Sequence, residues 1–373
     1  MLARRLRFIV PALVAAAVAC GGGVTSPVSA QTAATSPVSV VVFYDENGNG
    51  VLDPGEAVRL PGVTVRTAAG QAASTSSGGT ATLMVPAGAQ SLTVSTDSLP
   101  TYFQPGAAVM LNVPQQSQAV LPVTLAIGSG NRPNTYMAFG DSITVGEGSS
   151  SGEGYRGRLQ GLLQGYFGRG EISDEGISAT RSRAGAERIG DSLRRQRPAF
   201  TLIHYGTNDW NEAACRSQFP CFTIDSLRTM LRETRAQGGM PVLATIIPTN
   251  TDFNPFVPQI RNDWLELMNA SIREMAKQEN CVVADMWVAF FQVREIGDLY
   301  FDHVHPNDAG YKIMADTFFA ALTRARGATT AADAQRPIFV PELAFMRPEA
   351  IARTRHWPLE VPRDPVDSPG RPR

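Results

Sequence analysis

From residue 134 onward, short apolar runs alternate with stretches whose apolar residues recur three and four positions apart. This alternation constrains the fold more than any other feature. Tyr136-Met137-Ala138-Phe139, Phe200–Tyr205, Pro241–Ile247 and Val282–Asp285 read as buried strands. Leu159, Leu162, Leu163 and Tyr166 share one helix face, as do Leu227, Met230 and Leu231. Two more helices run through Trp264, Leu265, Met268, Ile272 and Met275, and through Tyr311, Ile313, Met314, Phe318 and Leu322. Strands and helices in alternation imply an α/β fold, a parallel sheet covered by helices on both faces. Such sheets bind ligands beyond the carboxyl ends of their strands.

The preceding region has a different period. Val38, Val40 and Val42 fall at every second position, as do Val63 and Val65, Leu92 and Val94, and Leu121, Val123 and Leu125. Period-2 runs separated by Gly, Pro and Ser clusters predict an all-β sandwich over 38–127. A short linker, 128–133, leads to the α/β domain at 134–326. Residues 21–37, small and uncharged, read as a flexible tether, and 327–373, rich in Pro and Arg, as a disordered tail. With 33 Lys plus Arg against 34 Asp plus Glu, the net charge is −1, which excludes a globally basic nucleic-acid binder.

Arg4, Arg5 and Arg7 precede the apolar run Phe8–Ala19, which ends in Ala17-Val18-Ala19-Cys20. A basic start, an apolar core and small residues describe a secretory signal over 1–20. The cysteine resembles the lipidated residue of bacterial lipoproteins, although Ala17 stands where leucine is usual. The expectation is export to the cell envelope, with a lipid anchor on Cys20 joining the protein to a membrane, or secretion if Cys20 is not lipidated. An oxidising compartment would let Cys215 and Cys221 pair. Cys281, in an apolar run, reads as a buried free thiol.

Asp45-Glu46-Asn47-Gly48-Asn49-Gly50-Val51-Leu52-Asp53-Pro54-Gly55-Glu56 follows the spacing of a calcium loop. Side-chain oxygens of Asp45, Asn47, Asn49, Asp53 and Glu56 and the carbonyl of Val51 would supply hard donors, with glycine at the sharp turn. No amphipathic helix flanks it. With Phe43-Tyr44 before the loop and Pro61-Gly62-Val63 after it, the region resembles the SdrD B-like repeats of bacterial surface adhesins. That resemblance implies Ca2+ with a stiffening or spacing role.

Three blocks fall at strand ends of the α/β region: Gly140-Asp141-Ser142, Gly206-Thr207-Asn208-Asp209 and Asp302-His303-Val304-His305. A serine hydroxyl becomes a nucleophile only when a base takes its proton, the base needs an orienting partner, and the intermediate's oxygen needs aimed donors. Together, and in this order, the blocks resemble the GDSL, or SGNH, hydrolase family over about 134–326. The resemblance implies a five-stranded parallel, flavodoxin-like sheet, with Ser142 as nucleophile, His305 as general base and acid, and Asp302 as its partner. The Ser142 amide and Asn208 side chain would serve the oxyanion hole. In the family's remaining block Asp174 replaces the usual asparagine and Ala179 a glycine, so either Ala179 or Gly176 would supply the further amide.

The expected function is hydrolysis of carboxylic esters of carbohydrate or lipid through an acyl-enzyme, with no cofactor in catalysis. A non-catalytic surface-binding protein on a degenerate hydrolase fold and an O-acyltransferase are the alternatives. The Asp302-x-x-His305 spacing of the resembled family favours His305 over His303 as base, and His204, inside a strand, reads as packed.

Overall fold

The computed structural model describes residues 34–253, 259–293 and 295–327. The expected signal and Cys20, the tether up to residue 33 and the tail from residue 328 lie outside the described residues. Among the described residues no helix is long and apolar enough to cross a membrane.

The β-rich region comprises β1 (Thr35–Tyr44), β2 (Thr64–Thr67), β3 (Ala72–Ser74), β4 (Thr80–Pro86), β5 (Gly88–Val94), β6 (Phe103–Pro105), β7 (Val109–Val113) and β8 (Gln118–Leu125). They form two four-stranded sheets, in the orders β4-β1-β8-β6 and β3-β2-β5-β7. The alternation in the sequence has its cause here. Val38, Val40 and Val42 of one sheet and Val65, Leu92 and Val94 of the other point into a shared core, while the intervening residues face outward. β1 starts at Thr35, opposite Pro86 of β4, so the last residues assigned to the tether are paired strand.

The α/β region follows as β9 (Arg132–Gly140), α1 (Ser142–Val145), α2 (Tyr155–Phe167), β10 (Glu171–Gly176), α3 (Ser182–Gln196), β11 (Pro198–His204), α4 (Ala213–Ser217), α5 (Thr223–Ala236), β12 (Met240–Ala244), α6 (Gln259–Gln278), β13 (Val282–Ala284), α7 (Met286–Phe290) and α8 (Asp308–Thr323). Its five strands are all parallel, in the order β10-β9-β11-β12-β13. The first strand in sequence is thus interior. The order reverses between β9 and β11, which opens a crevice at their carboxyl ends. Central β11 is buried along its whole length, as expected of a strand covered on both faces.

The two regions share apolar surface. Phe103 of β6 lies against Phe167 of α2, ring centroids 5.9 Å apart, and the Tyr102 hydroxyl donates to the Pro241 carbonyl at 2.5 Å. After α8 the chain returns to the β region, where the Arg326 and Gly327 amides donate to the carbonyls of Leu99 and Asp97. The short linker is also fixed, since the Gly128 amide donates to the Gly238 carbonyl and Asn131 Nδ2 to that of Pro198.

Candidate active site

Ser142 is the first residue of α1, directly beyond β9. The turn is tight: a Cβ on Gly140 would lie 2.1 Å from Thr144 Oγ1 and 2.4 Å from the His204 carbonyl, so the position requires glycine. Asp141 caps α1, its Oδ1 accepting from the Ile143 amide at 3.1 Å. Its other oxygen is buried without a hydrogen-bond partner, and burial pushes the carboxyl up to about 7. Asp141 therefore organises the turn from beneath it.

The loop between Leu299 and α8 brings His305 to the serine. His305 Nε2 is 2.9 Å from Ser142 Oγ, and His305 Nδ1 is 2.7 Å from Asp302 Oδ2. The second Asp302 oxygen accepts from the amides of Val304 at 2.8 Å and His305 at 2.7 Å. Burial works against a charged Asp302, but the His305 ring and these two amides outweigh it and hold the carboxyl at about 2. Burial likewise opposes a charged His305, yet its bond to Asp302 and the surrounding carboxylates raise it above the ordinary imidazole value. The His303 carbonyl accepts from the Asn250 amide, and it is the His305 ring that meets Ser142. His204 is fully buried in β11, and burial lowers its pKa to about 4, which keeps it neutral.

Asn208 lies in the short turn Thr207–Asn211 after β11, across the crevice opening. One N–H of its amide donates to the Thr180 carbonyl at 3.1 Å, which leaves the other available. Beneath it Asp209 is buried and accepts from Ser182 Oγ at 2.6 Å, the Ser182 amide at 2.9 Å and Thr223 Oγ1 at 2.7 Å. These bonds tie the turn to the starts of α3 and α5. Cys215 and Cys221 are joined in a disulfide across the loop that follows. Cys281 carries a free thiol, half-buried, and burial pushes its pKa up to about 11.

The alternatives left open at the altered block differ in their hydrogen bonds. The Gly176 amide donates to Asp174 Oδ1 at 2.9 Å and is engaged. Ala179 has φ +61°, the left-handed conformation that a glycine would occupy without strain. Among the described residues nothing accepts from the Ala179 amide, nor from that of Ser142 at the start of α1.

One residue of the site escaped the sequence reading. Glu147 Oε2 lies 3.3 Å from His305 Nε2, and its other carboxylate oxygen accepts from Ser178 Oγ. Its place between two glycines reads as a solvent-exposed turn, and only the fold brings it to the imidazole.

Residues 138–313 match the model of the GDSL-like lipase/acylhydrolase family. This region is an ester-bond hydrolase similar to the GDSL type. The hydrolase is 28% identical over 218 residues to an acetylxylan esterase of Geobacillus stearothermophilus, across 53% of this chain and 96% of that enzyme. It is 30% identical over 119 residues to esterase TesA of Pseudomonas aeruginosa, across 31% of this chain and 56% of TesA. Among solved structures, one of the G. stearothermophilus acetylxylan esterase Axe2 superposes with TM-score 0.42 at 22% identity, covering 54% of this chain and 100% of that one. The family match lies outside the β-rich region of the hydrolase.

In that β-rich region the loop after β1 is closed by its own hydrogen bonds, and among the described residues no group of three or more Asp, Glu, His or Cys side chains is placed to hold a metal ion. Asp45 Oδ1 accepts from the Gly48 amide at 2.7 Å and its Oδ2 from the Gly50 amide at 2.7 Å. The amides of Asn47 and Asn49 both reach Asp53 Oδ2, at 2.7 and 2.8 Å. Glu56 closes the loop, accepting from the amides of Glu46 at 2.8 Å and Asp53 at 3.1 Å. The loop is anchored to the α/β region through Glu46, which pairs with Arg169 and accepts from Asn134 Nδ2 at 2.8 Å.

Proposed function

We propose that the chain is an exported serine esterase that removes acyl groups from carbohydrate through an acyl-enzyme. The observation that carries this reading is the continuous hydrogen-bonded line from Ser142 Oγ through His305 to Asp302, at 2.9 and 2.7 Å. In the reaction, His305 Nε2 takes the Ser142 proton as Oγ bonds to the acyl carbon, and the carbonyl electron pair moves onto oxygen. The imidazolium then gives its proton to the leaving alkoxide. Water, deprotonated by the same nitrogen, releases the acid. Asp302 fixes the tautomer and balances the imidazolium. The free amides of Ser142 and Ala179, with the uncommitted N–H of Asn208, would meet the oxyanion, each donor contributing about 3 kcal/mol.

The carbohydrate assignment is supported by the similarity to an acetylxylan esterase over nearly that enzyme's whole length. Export with a lipid anchor on Cys20 follows from the basic and apolar start. Calcium in the loop 45–56 is part of the same proposal. Carboxylates of Asp45, Asp53 and Glu56, side-chain carbonyls of Asn47 and Asn49 and the Val51 carbonyl are hard oxygen donors of the type calcium takes, at the spacing of a calcium loop. The ion would hold the loop closed and take no part in catalysis.

The test is labelling with a fluorophosphonate, followed by rates of deacetylation on acetylated xylo-oligosaccharides and on p-nitrophenyl esters from acetyl to octanoyl. Labelling at Ser142 with a preference for acetyl groups supports the reading. Preference for octanoyl would move the substrate to lipid esters, and no labelling would leave a binding protein.

A further inference from the structure

Asp302 holds one nitrogen of His305, and a second carboxylate, Glu147, approaches the nitrogen that faces the nucleophile. We propose that Glu147 is a positioning residue that grips His305 Nε2–H when the imidazole is protonated, stabilising the charge-separated stage of the reaction and setting the acid edge of activity. This rests on the assignment of Ser142 and His305 made above.

The backbone that presents Glu147 is pinned on every side. Its amide donates to the Ser142 carbonyl at 3.1 Å, and its own carbonyl accepts from the Tyr311 hydroxyl of α8 at 2.6 Å. Gly148 follows with φ +87°, so close to the catalytic loop that a Cβ would lie 2.6 Å from the Pro306 carbonyl and 2.9 Å from Phe301 Cβ. The side chain is steered as well. One carboxylate oxygen accepts from Ser178 Oγ, the residue before Ala179, and the other lies 3.3 Å from Nε2. Glu147 thus bridges the base and the segment proposed to hold the oxyanion.

The timing follows from the proton. With Nδ1–H donated to Asp302, a neutral His305 presents a lone pair at Nε2, which accepts from the Ser142 hydroxyl and offers nothing to a carboxylate. When Oγ attacks and its proton moves to Nε2, the new N–H lies within reach of Glu147 Oε2. An interaction made only at that stage lowers the barrier instead of merely tightening the ground state. Ser178 keeps the carboxylate to one side, so the proton can still pass to the leaving alkoxide. The same interaction favours the protonated resting base, which is inactive. The charged groups facing the ring are Asp302 on its own loop, Glu147 after α1 and Asp141 at the end of β9, and together they oppose the effect of burial.

The experiment compares the parent full-length chain with Glu147→Gln. The glutamine keeps an oxygen for Ser178, so a purely structural role would leave both readouts unchanged. The first readout is the titration of the His305 ring by 15N NMR, made tractable by only 4 histidines in the chain. The second is the pH profile of kcat/KM on p-nitrophenyl acetate. The expected results are a His305 titration at lower pH in Glu147→Gln, an acid limb that moves with it, and a several-fold lower rate on the neutral plateau. Superimposable ring titrations overturn the proposal. The NMR readout does not need turnover, so it separates failure of this inference from failure of the esterase assignment.

Discussion

Ala179→Gly is a sharp test of the altered block, because its effects on stability and on rate come from different atoms. Ala179 is exposed and has φ +61°. Holding an L-residue with a Cβ in the left-handed region costs about 1–2 kcal/mol. Glycine removes that cost but loses about 0.5–1 kcal/mol through the greater freedom of its unfolded chain. The exposed methyl buries little surface, so the difference is net stabilisation of about 0.5 kcal/mol. For a folded region of this size that corresponds to a rise in Tm of about 1–2 °C. The N–H direction is unchanged, so kcat on p-nitrophenyl acetate should stay within about twofold of the parent, whereas loss of an oxyanion donor costs about 100-fold or more. Thermal unfolding and initial rates on the same samples give both numbers. A fall in Tm would refute the strain argument. A loss of kcat approaching that of a missing donor would show that alanine is required to aim the amide.

Asp302→Asn should leave the fold intact and lower kcat by about four orders of magnitude, because the amide favours the wrong imidazole tautomer, as steady-state kinetics will show. Asp302 is depressed to about 2, so its contribution to stability is present above the ordinary carboxylate range and is lost as pH falls toward 2. His305 is raised, so its contribution is present below the ordinary imidazole value and is lost as pH rises through the raised one. Denaturant unfolding between pH 2 and 8 should therefore show both contributions in the parent, whereas in Asp302→Asn the first is absent and the second reduced to what Glu147 and Asp141 supply. Calcium at about 100 times its Kd should stabilise the chain by about 2.7 kcal/mol, measured as a higher Tm that a chelator reverses and that Asp45→Ala abolishes.

The Ser142 and Asn208 blocks were legible in the sequence because each directly follows an apolar strand, β9 or β11, and strand ends in a parallel sheet converge on one crevice. The Asp302–His305 block, expected at a strand end, lies instead in the loop between Leu299 and α8, and its own spacing and its place before that helix marked it. Among the elements not read, β10 and α3 flank the site. β10 is an edge strand, Glu171-Ile172-Ser173-Asp174-Glu175-Gly176, with most of its side chains at least partly solvated and no apolar run to mark it. α3 buries only Ser182, Gly185, Ile189, Ser192 and Leu193, and its arginines hide the period. Glu147 was invisible for a different reason. Nothing in Gly146-Glu147-Gly148 indicates that Gly148 packs on the His305 loop, some 150 residues away in sequence. The choice between Ala179 and Gly176 likewise depended on which amide was already engaged, and only the turn geometry shows that.

The central claim is that Ser142 is the nucleophile of an ester hydrolase. The most direct measurement is hydrolysis of p-nitrophenyl acetate and labelling by a fluorophosphonate, with Ser142→Ala beside the parent and matched unfolding curves. The alanine variant is expected to fold as the parent does, take no label and lose about six orders of magnitude in kcat. Equal rates and equal labelling in the two proteins would contradict it.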